Sequence, residues 1–209
     1  LLLDLDANTC TSLLVNDYLQ GEFAPWAIAA AFGDNMQSSA TTLANKLGLT
    51  IDEQSLLQEL GVYINYNGYG SNLDDLHFHP ADLYQQLLKY ANPFDLIYQK
   101  NSVFAILETA YEADMQKAKS AEIIIDNDSL KAVQLADAPW ARRVSGVFGN
   151  ELANASPDKA HVVLTLNIDK SYTISLRAPL NNKKGAGELC AQFPTGGGRA
   201  AAAGINALP

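Results

Sequence analysis

Apolar positions recur at helical spacing through the first half of the chain and at two-residue spacing through much of the second. Residues 9–19, TCTSLLVNDYL, carry apolar side chains three and four apart, which predicts a helix capped by Asn8 or Thr9 and finished before Gly21. The run PWAIAAAF, 25–32, is apolar on nearly every face, so it reads as a buried helix or strand that delivers Gly33-Asp34-Asn35 to an exposed end. Residues 41–47 and 52–64 predict amphipathic helices separated by Gly48 and Thr50. The stretch NYNGYGSNLDDLHFHP, 65–80, is rich in Asn, Gly and aromatics and predicts a loop. Helices are expected again over 81–90, ended by Pro93, and over 102–119.

After Lys119 the texture changes. EIIID (122–126) and LKAVQLA (130–136) are β-like runs joined by Asn127-Asp128, a hairpin signal, and HVVLTLNI (161–168) and YTISLRAP (172–179) form a second strand pair around Asp169-Lys170-Ser171. Between them 140–153 reads as a helix; 187–193 is helical before a glycine run, and a small-residue helix is expected after it. No internal repeat is present. The switch of period predicts an α/β protein: a mostly helical domain over 1–119 and a smaller mixed α/β domain over 120–209, meeting across a cleft.

Composition narrows the function. With 209 residues, 48% of them hydrophobic, the chain can bury a real core. The balance of 23 acidic against 14 basic residues, net −9, argues against a generic binder of nucleic-acid backbone, so any such contact must be local. Cys10 and Cys190 sit in apolar helical patterns, where a thiol acts as a small hydrophobe, and two cysteines make no disulfide framework. No run approaches the ~18 apolar residues of a membrane span and no basic, apolar leader is seen, so a cytoplasmic protein without a membrane partner is expected. The chain opens on LLLDLD rather than Met and runs at once into a helical pattern, from which we expect trimmed ends or a further N-terminal part.

The candidate chemistry lies near the end. TISLRAP places Arg177 near the end of a strand, and FPTGGGRAAAAG follows with three glycines whose missing Cβ atoms let a phosphate or base approach backbone N–H groups. Together they suggest an anion cradle with an arginine beside it. These residues resemble the DHH phosphoesterases, whose DHH-associated C-terminal domain pairs a Ser-x-Arg strand with a Gly-Gly-Gly-His-x-x-Ala-Ala-Gly loop. Ser175-Leu176-Arg177 and Gly196-Gly197-Gly198-Arg199-Ala200-Ala201-Ala202-Ala203-Gly204 match in order and spacing, with Arg199 where the family usually has His. AAFGDN, 30–35, resembles the segment ending in Gly-Asp-Thr-Gly, which makes Asp34 the carried-over metal ligand, and TCTSLL, 9–14, resembles the helix that follows the Asp-His-His motif.

The resemblance implies a metal-dependent phosphoesterase, usually with Mn2+, that hydrolyses a phosphodiester, phosphomonoester or polyphosphate in the manner of an exopolyphosphatase. It makes residues 1–119 the C-terminal portion of the catalytic domain and 120–209 the substrate-binding domain. Ser175, Arg177, Gly196, Gly197, Gly198 and Arg199 would hold a phosphate-containing small molecule, nucleotide or short oligonucleotide. The sequence contains no Asp-His-His, and Asp4-Leu5-Asp6 lies just before the helix that should come after it, so it reads as a solvated chain start and these 209 residues are expected to be inactive alone. The alternative is a non-catalytic nucleotide- or RNA-binding module.

Four further features have ordinary readings. His77 and His79 are either a metal-binding pair, with Asp74 and Asp75 near, or a hydrogen-bonded loop pair. Tyr63, Tyr66 and Tyr69 suggest a packing cluster, and Arg142-Arg143 a solvated face or a salt bridge to Glu151. Lys183-Lys184 reads as a polar turn.

Overall fold

A strand that alternates apolar and polar residues needs one face covered, and the chain supplies helices to cover it. The computed structural model describes residues 9–209; Asp4-Leu5-Asp6 and Asn8 lie outside the described residues. These residues form a mixed α/β protein with nine α-helices and one six-stranded sheet, as the change of period predicts. They cluster into two compact units, one through Gly68 and over Leu76–Tyr111, the other over Tyr69–Asp75 and Glu112–Pro209.

The first unit is helical: α1 (Thr11–Tyr18), α2 (Ala24–Gly33), α3 (Gln37–Lys46), α4 (Ile51–Tyr66), α5 (Pro80–Leu87), α6 (Pro93–Ile97) and the first part of α7 (Val103–Lys119). Cys10, rather than Thr9, stands at the N-cap of α1. PWAIAAAF resolves as helix, because Pro25 starts it and its small residues let α4 come close. A Cβ on Gly33 would lie 2.7 Å from the Gly61 carbonyl oxygen, and one on Gly61 would collide with the Ala29 carbonyl. α4 starts with a capping box: the Thr50 hydroxyl accepts the Glu53 N–H at 3.2 Å and the Glu53 carboxylate accepts the Thr50 N–H at 2.8 Å. Pro93 opens a helix instead of ending one, since its missing N–H costs nothing at the first position and Asn92 caps the turn by accepting the Phe94 N–H at 3.1 Å.

The second unit is built on a sheet of order β1-β2-β3-β4-β6-β5, from β1 (Glu122–Asp126), β2 (Leu130–Leu135), β3 (Ala160–Leu166), β4 (Tyr172–Arg177), β5 (Gly196–Gly198) and β6 (Ala202–Leu208). Only β2 and β3 run parallel, and α8 (Pro139–Ala155) makes the crossover between them. β3 alternates: His161, Val163 and Thr165 are buried, and α8 packs on this strand. Ile174, Leu176, Ala203 and Ile205 point to the other face, into a core shared with Ala186 and Cys190 of α9 (Ala186–Cys190). The small-residue helix expected after the glycines is a strand, β6. Its alternation, with Ala203 and Ile205 buried, is period two, and pairing with β4 and β5 outweighs the helix preference of alanine.

Candidate anion-binding site

Residues four apart share a helix face, and Arg142, Gly146 and Asn150 make such a row on α8. Residues two apart share a strand face, which puts Ser175 and Arg177 on the α8 side of β4, opposite Val163 and His161. Arg177 fills the angle between the two elements. Its Nε donates to Asn150 Oδ1 at 2.6 Å, Nη1 to Ser175 Oγ at 3.0 Å and to the Leu176 carbonyl at 3.1 Å, and Nη2 to the Gly146 carbonyl at 3.0 Å.

A guanidinium carries five N–H donors, so these four bonds leave one Nη2 hydrogen without a partner among the described residues. Every acceptor is neutral. Burial is the main influence pushing the Arg177 pKa below its ordinary value; the charge of Arg199 adds to it and Tyr69 opposes it. No carboxylate neutralises this half-buried cation among the described residues. It stays charged nonetheless, because guanidinium does not deprotonate in proteins.

The glycines beside it have separate structural reasons. A Cβ on Gly196 would collide with the Cys190 carbonyl of α9, and one on Gly198, at φ +148°, would come within 2.5 Å of Ala203 Cα. Gly204 is equally constrained, 2.8 Å from the Ile174 carbonyl oxygen. Gly197 alone of the run faces open space. The run is therefore an edge strand and not the open loop expected: Gly197 pairs with Gly204, the Gly196 N–H donates to the Phe193 carbonyl at 2.9 Å and the Arg199 N–H to the Ala202 carbonyl at 2.8 Å. A cradle of several free N–H groups does not form, because the β5–β6 hairpin uses most of them. What remains is a floor: Ser175, Gly204 and Gly197 lie in one row across three strands, two of them without side chains.

The next row is cationic. Arg177 pairs with Ala202 across β4–β6, and Ala202 closes the hairpin with Arg199. Arg199 is exposed, and its charge acts on Arg177. The sheet thus brings together Ser175, Arg177, Gly197 and Arg199, with Gly196 and Gly198 holding the edge. Asn150, Gly146 and Tyr69 were not foreseen. The signal for the first two was present in the sequence as the four-residue spacing from Arg142.

Asp34 belongs to the other unit. It stands exposed at the C-cap of α2, whose last carbonyls are partly satisfied by its own N–H and by Asn65 Nδ2, 3.0 Å from the Gly33 oxygen. Gly33 beside it is explained by the close crossing of α2 and α4. Among the described residues no group of three or more His, Cys, Asp or Glu could hold a metal ion. His77 and His79 do not act as a pair: His77 Nε2 meets the Tyr66 hydroxyl at 2.8 Å, and His79 Nδ1 accepts the Ala81 N–H at 3.2 Å to cap α5. Tyr63 and Tyr66 pack with Phe104 and Tyr111 at centroid distances of 5.2–5.4 Å. Tyr69 is not in that cluster; its ring lies by Gly146.

Arg142 and Arg143 depart furthest from expectation, being neither solvated nor paired with Glu151, which binds Lys119 at 3.1 Å. They turn inward to Asp75 and Asp114. Cys190 is core, its thiol pushed up by burial. A cavity of about 230 Å3 in the helical unit, with Phe78, Tyr90 and Ile106 and the amides of Gln86 and Gln99 on its wall, carries no charged side chain and suits no phosphate.

No family model matches the chain. No curated protein matches it. Among solved structures it is similar to PggH from Vibrio cholerae, described as a pGpG-specific phosphodiesterase, with a TM-score of 0.43 and 11% sequence identity. The match covers 80% of this chain and 66% of that one, so the chain spans just under two thirds of that structure. No helix among the described residues is long and apolar enough to cross a membrane.

Proposed function

We propose that the C-terminal unit binds the phosphate of a phosphate ester, and that it is the substrate-holding part of a metal-dependent phosphoesterase of the DHH type. The observation that carries this reading is Arg177: a half-buried guanidinium held in place by neutral acceptors, with one N–H still to give, beside a second arginine. Structural arginines usually neutralise a carboxylate, as Arg142 and Arg143 do here. One that is desolvated and left cationic is poised for an anion from outside. Ser175 fixes its Nη1 end, Arg199 adds charge, and the floor at Gly197 gives a planar or tetrahedral group close approach.

The catalytic half of the reading rests on Asp34 and Mn2+ alone. The described residues do not fit a manganese site, since one exposed carboxylate cannot hold a divalent ion that needs several ligands in fixed geometry. The second reading, a nucleotide- or RNA-binding module without catalysis, is favoured by that same lone carboxylate.

Calorimetric titration with inorganic phosphate and a nucleoside monophosphate tests the binding reading. Arg177→Ala and Arg199→Ala should each weaken binding at least tenfold, and unchanged affinity in both would remove it. Manganese titration and a phosphate-release assay separate the two readings: turnover lost on Asp34→Ala supports the enzyme, and ligand binding without turnover supports the module.

A further inference from the structure

Residues 69–75 look like a polar loop with no reason to be anything but solvated, yet the end of this segment is among the most heavily tied parts of the second unit. Asp75 is 2% exposed. Its carboxylate takes both ends of the Arg142 guanidinium, Nε at 2.8 Å and Nη2 at 2.9 Å, and also the Ser71 N–H at 2.7 Å. Arg142 Nη1 continues to Asp137 at 2.7 Å. Arg143 donates to the Asp75 carbonyl, and its Nε and Nη2 reach Asp114 at 3.0 and 2.6 Å. Asn72 Oδ1 closes the turn on the Asp74 and Asp75 N–H groups at 2.9 and 3.2 Å. Two consecutive arginines and two aspartates are desolvated to pin a seven-residue strap to α8, a costly arrangement for a mere connection.

At the other end of the strap stands Tyr69, 42% exposed. Its ring carbon Cζ lies 3.9 Å, and Arg177 Nη2 lies 3.8 Å, from one point, the place a Cβ would take on Gly146. The strap therefore carries an accessible aromatic ring to the guanidinium at the centre of the anion site.

We infer that Tyr69 is the wall on which a nucleobase stacks while its phosphate rests on Arg177 and Arg199, and that the Arg142–Asp75 pair is the positioning device that holds the wall there. This inference rests on the anion-binding reading above and narrows it to nucleoside phosphates or the end of a short oligonucleotide, rather than sugar phosphates or polyphosphate. An aromatic face accepts any base, because every base has a π-face, so the recognition is of a base and not of its identity.

The test titrates the 209-residue chain with adenosine 5′-monophosphate, ribose 5-phosphate and inorganic phosphate. Adenosine monophosphate should bind on the order of tenfold more tightly than ribose phosphate, the advantage one stacked base confers. Tyr69→Leu should erase that advantage and leave inorganic phosphate unchanged, and Tyr69→Trp should keep it. Arg142→Lys, which cannot grip Asp75 with a planar fork, should reduce the base advantage without loss of phosphate affinity. If that variant fails to fold, Asp137→Asn loosens the same arginine at its exposed end and should give the same sign. Equal affinity for the two ligands in the unaltered chain, or a base advantage that survives Tyr69→Leu, overturns the inference while phosphate binding lost on Arg177→Ala keeps the anion reading. A base advantage untouched by Arg142→Lys overturns the positioning role. No binding of any of the three overturns the anion reading itself, and this inference with it.

Discussion

His161 of β3 and Arg177 of β4 are cross-strand partners, and among the described residues neither basic side chain forms a salt bridge. The His161 ring is fully buried, and among the described residues neither of its nitrogens has a hydrogen-bond partner. Burial is the main cause holding its pKa below the ordinary histidine value. The Lys131 and Lys159 ammonium groups push the same way, and the Asp126 carboxylate opposes them only weakly.

A depressed histidine makes stability fall with acid. Above about pH 6.5 the ring is neutral in both the folded and unfolded chain. Below it the unfolded ring takes its proton first and draws the equilibrium toward unfolding, by at most about 1.4 kcal/mol per pH unit, until the folded value is reached. His161→Leu should remove this slope between pH 7 and 5 in thermal melts, and it should not lose stability at pH 7, because two unpaired buried polar atoms go with the ring. Equal slopes for the two proteins would mean that another group is responsible.

Asp75 behaves oppositely. Arg142 above all, helped by the Ser71 and Asn72 groups, holds its carboxyl below the usual range against the effect of burial. The stabilisation is present above the unfolded carboxylate value, about 3.9, and is lost as pH falls through the lower folded value. Asp75→Asn should cost on the order of 1.5–3 kcal/mol near neutrality, since the Arg142 guanidinium, 12% exposed, loses its two-point carboxylate partner and keeps only Asp137 as a counter-charge. Melts of the two proteins should converge below about pH 4; a constant difference down to pH 2 would contradict this account.

How much of this was legible depended on what each residue needed to touch. Strands β3 and β4 announced themselves, because one face of each alternates into a core. The Ser175–Arg177 pair and the glycine run were legible as a motif, and the register does bring Arg177 and Arg199 to adjoining positions. The nature of the run was not. Alanines 200–203 favour a helix locally, and the strand that begins at Ala202 is made by pairing with β5 just before it and with β4, whose Arg177 lies 25 residues from Ala202. Arg142 and Arg143 were misread for the same reason: Asp75 and Asp114 lie 67 and 29 residues away, and no local pattern connects them.

The three glycines should separate by experiment. Gly196→Ala and Gly198→Ala force a methyl group into the Cys190 carbonyl and Ala203 respectively, and each should destabilise by more than 2 kcal/mol, because neither backbone can yield. Gly197→Ala meets open space and should change stability by less than about 1 kcal/mol. If the floor is used, that silent methyl should still weaken phosphate binding several-fold in titration. Unaltered affinity would show that the ligand does not descend to the sheet.

Asn150 offers the most direct test of why Arg177 lacks a carboxylate. Its Oδ1 is 2.6 Å from Arg177 Nε and orients the guanidinium without neutralising it. Asn150→Asp keeps the shape and the acceptor but adds a charge that strengthens the bond to roughly twice that of a neutral pair. The fold should be as stable as before or more so, by about 1 kcal/mol, since a desolvated cation gains an ion partner. Anion affinity should nevertheless fall at least tenfold, because the new carboxylate satisfies the charge that an incoming phosphate would meet and repels the phosphate itself. Asn150→Leu separates orientation from charge: it leaves Nε unpaired, costing about 1–3 kcal/mol of stability, and should weaken phosphate binding by misplacing the fork while the charge remains. Thermal melts and phosphate titrations on the pair decide the matter. Stability and affinity rising together in Asn150→Asp would show that Arg177 is a structural cation after all, and that the phosphate, if it binds, is held elsewhere.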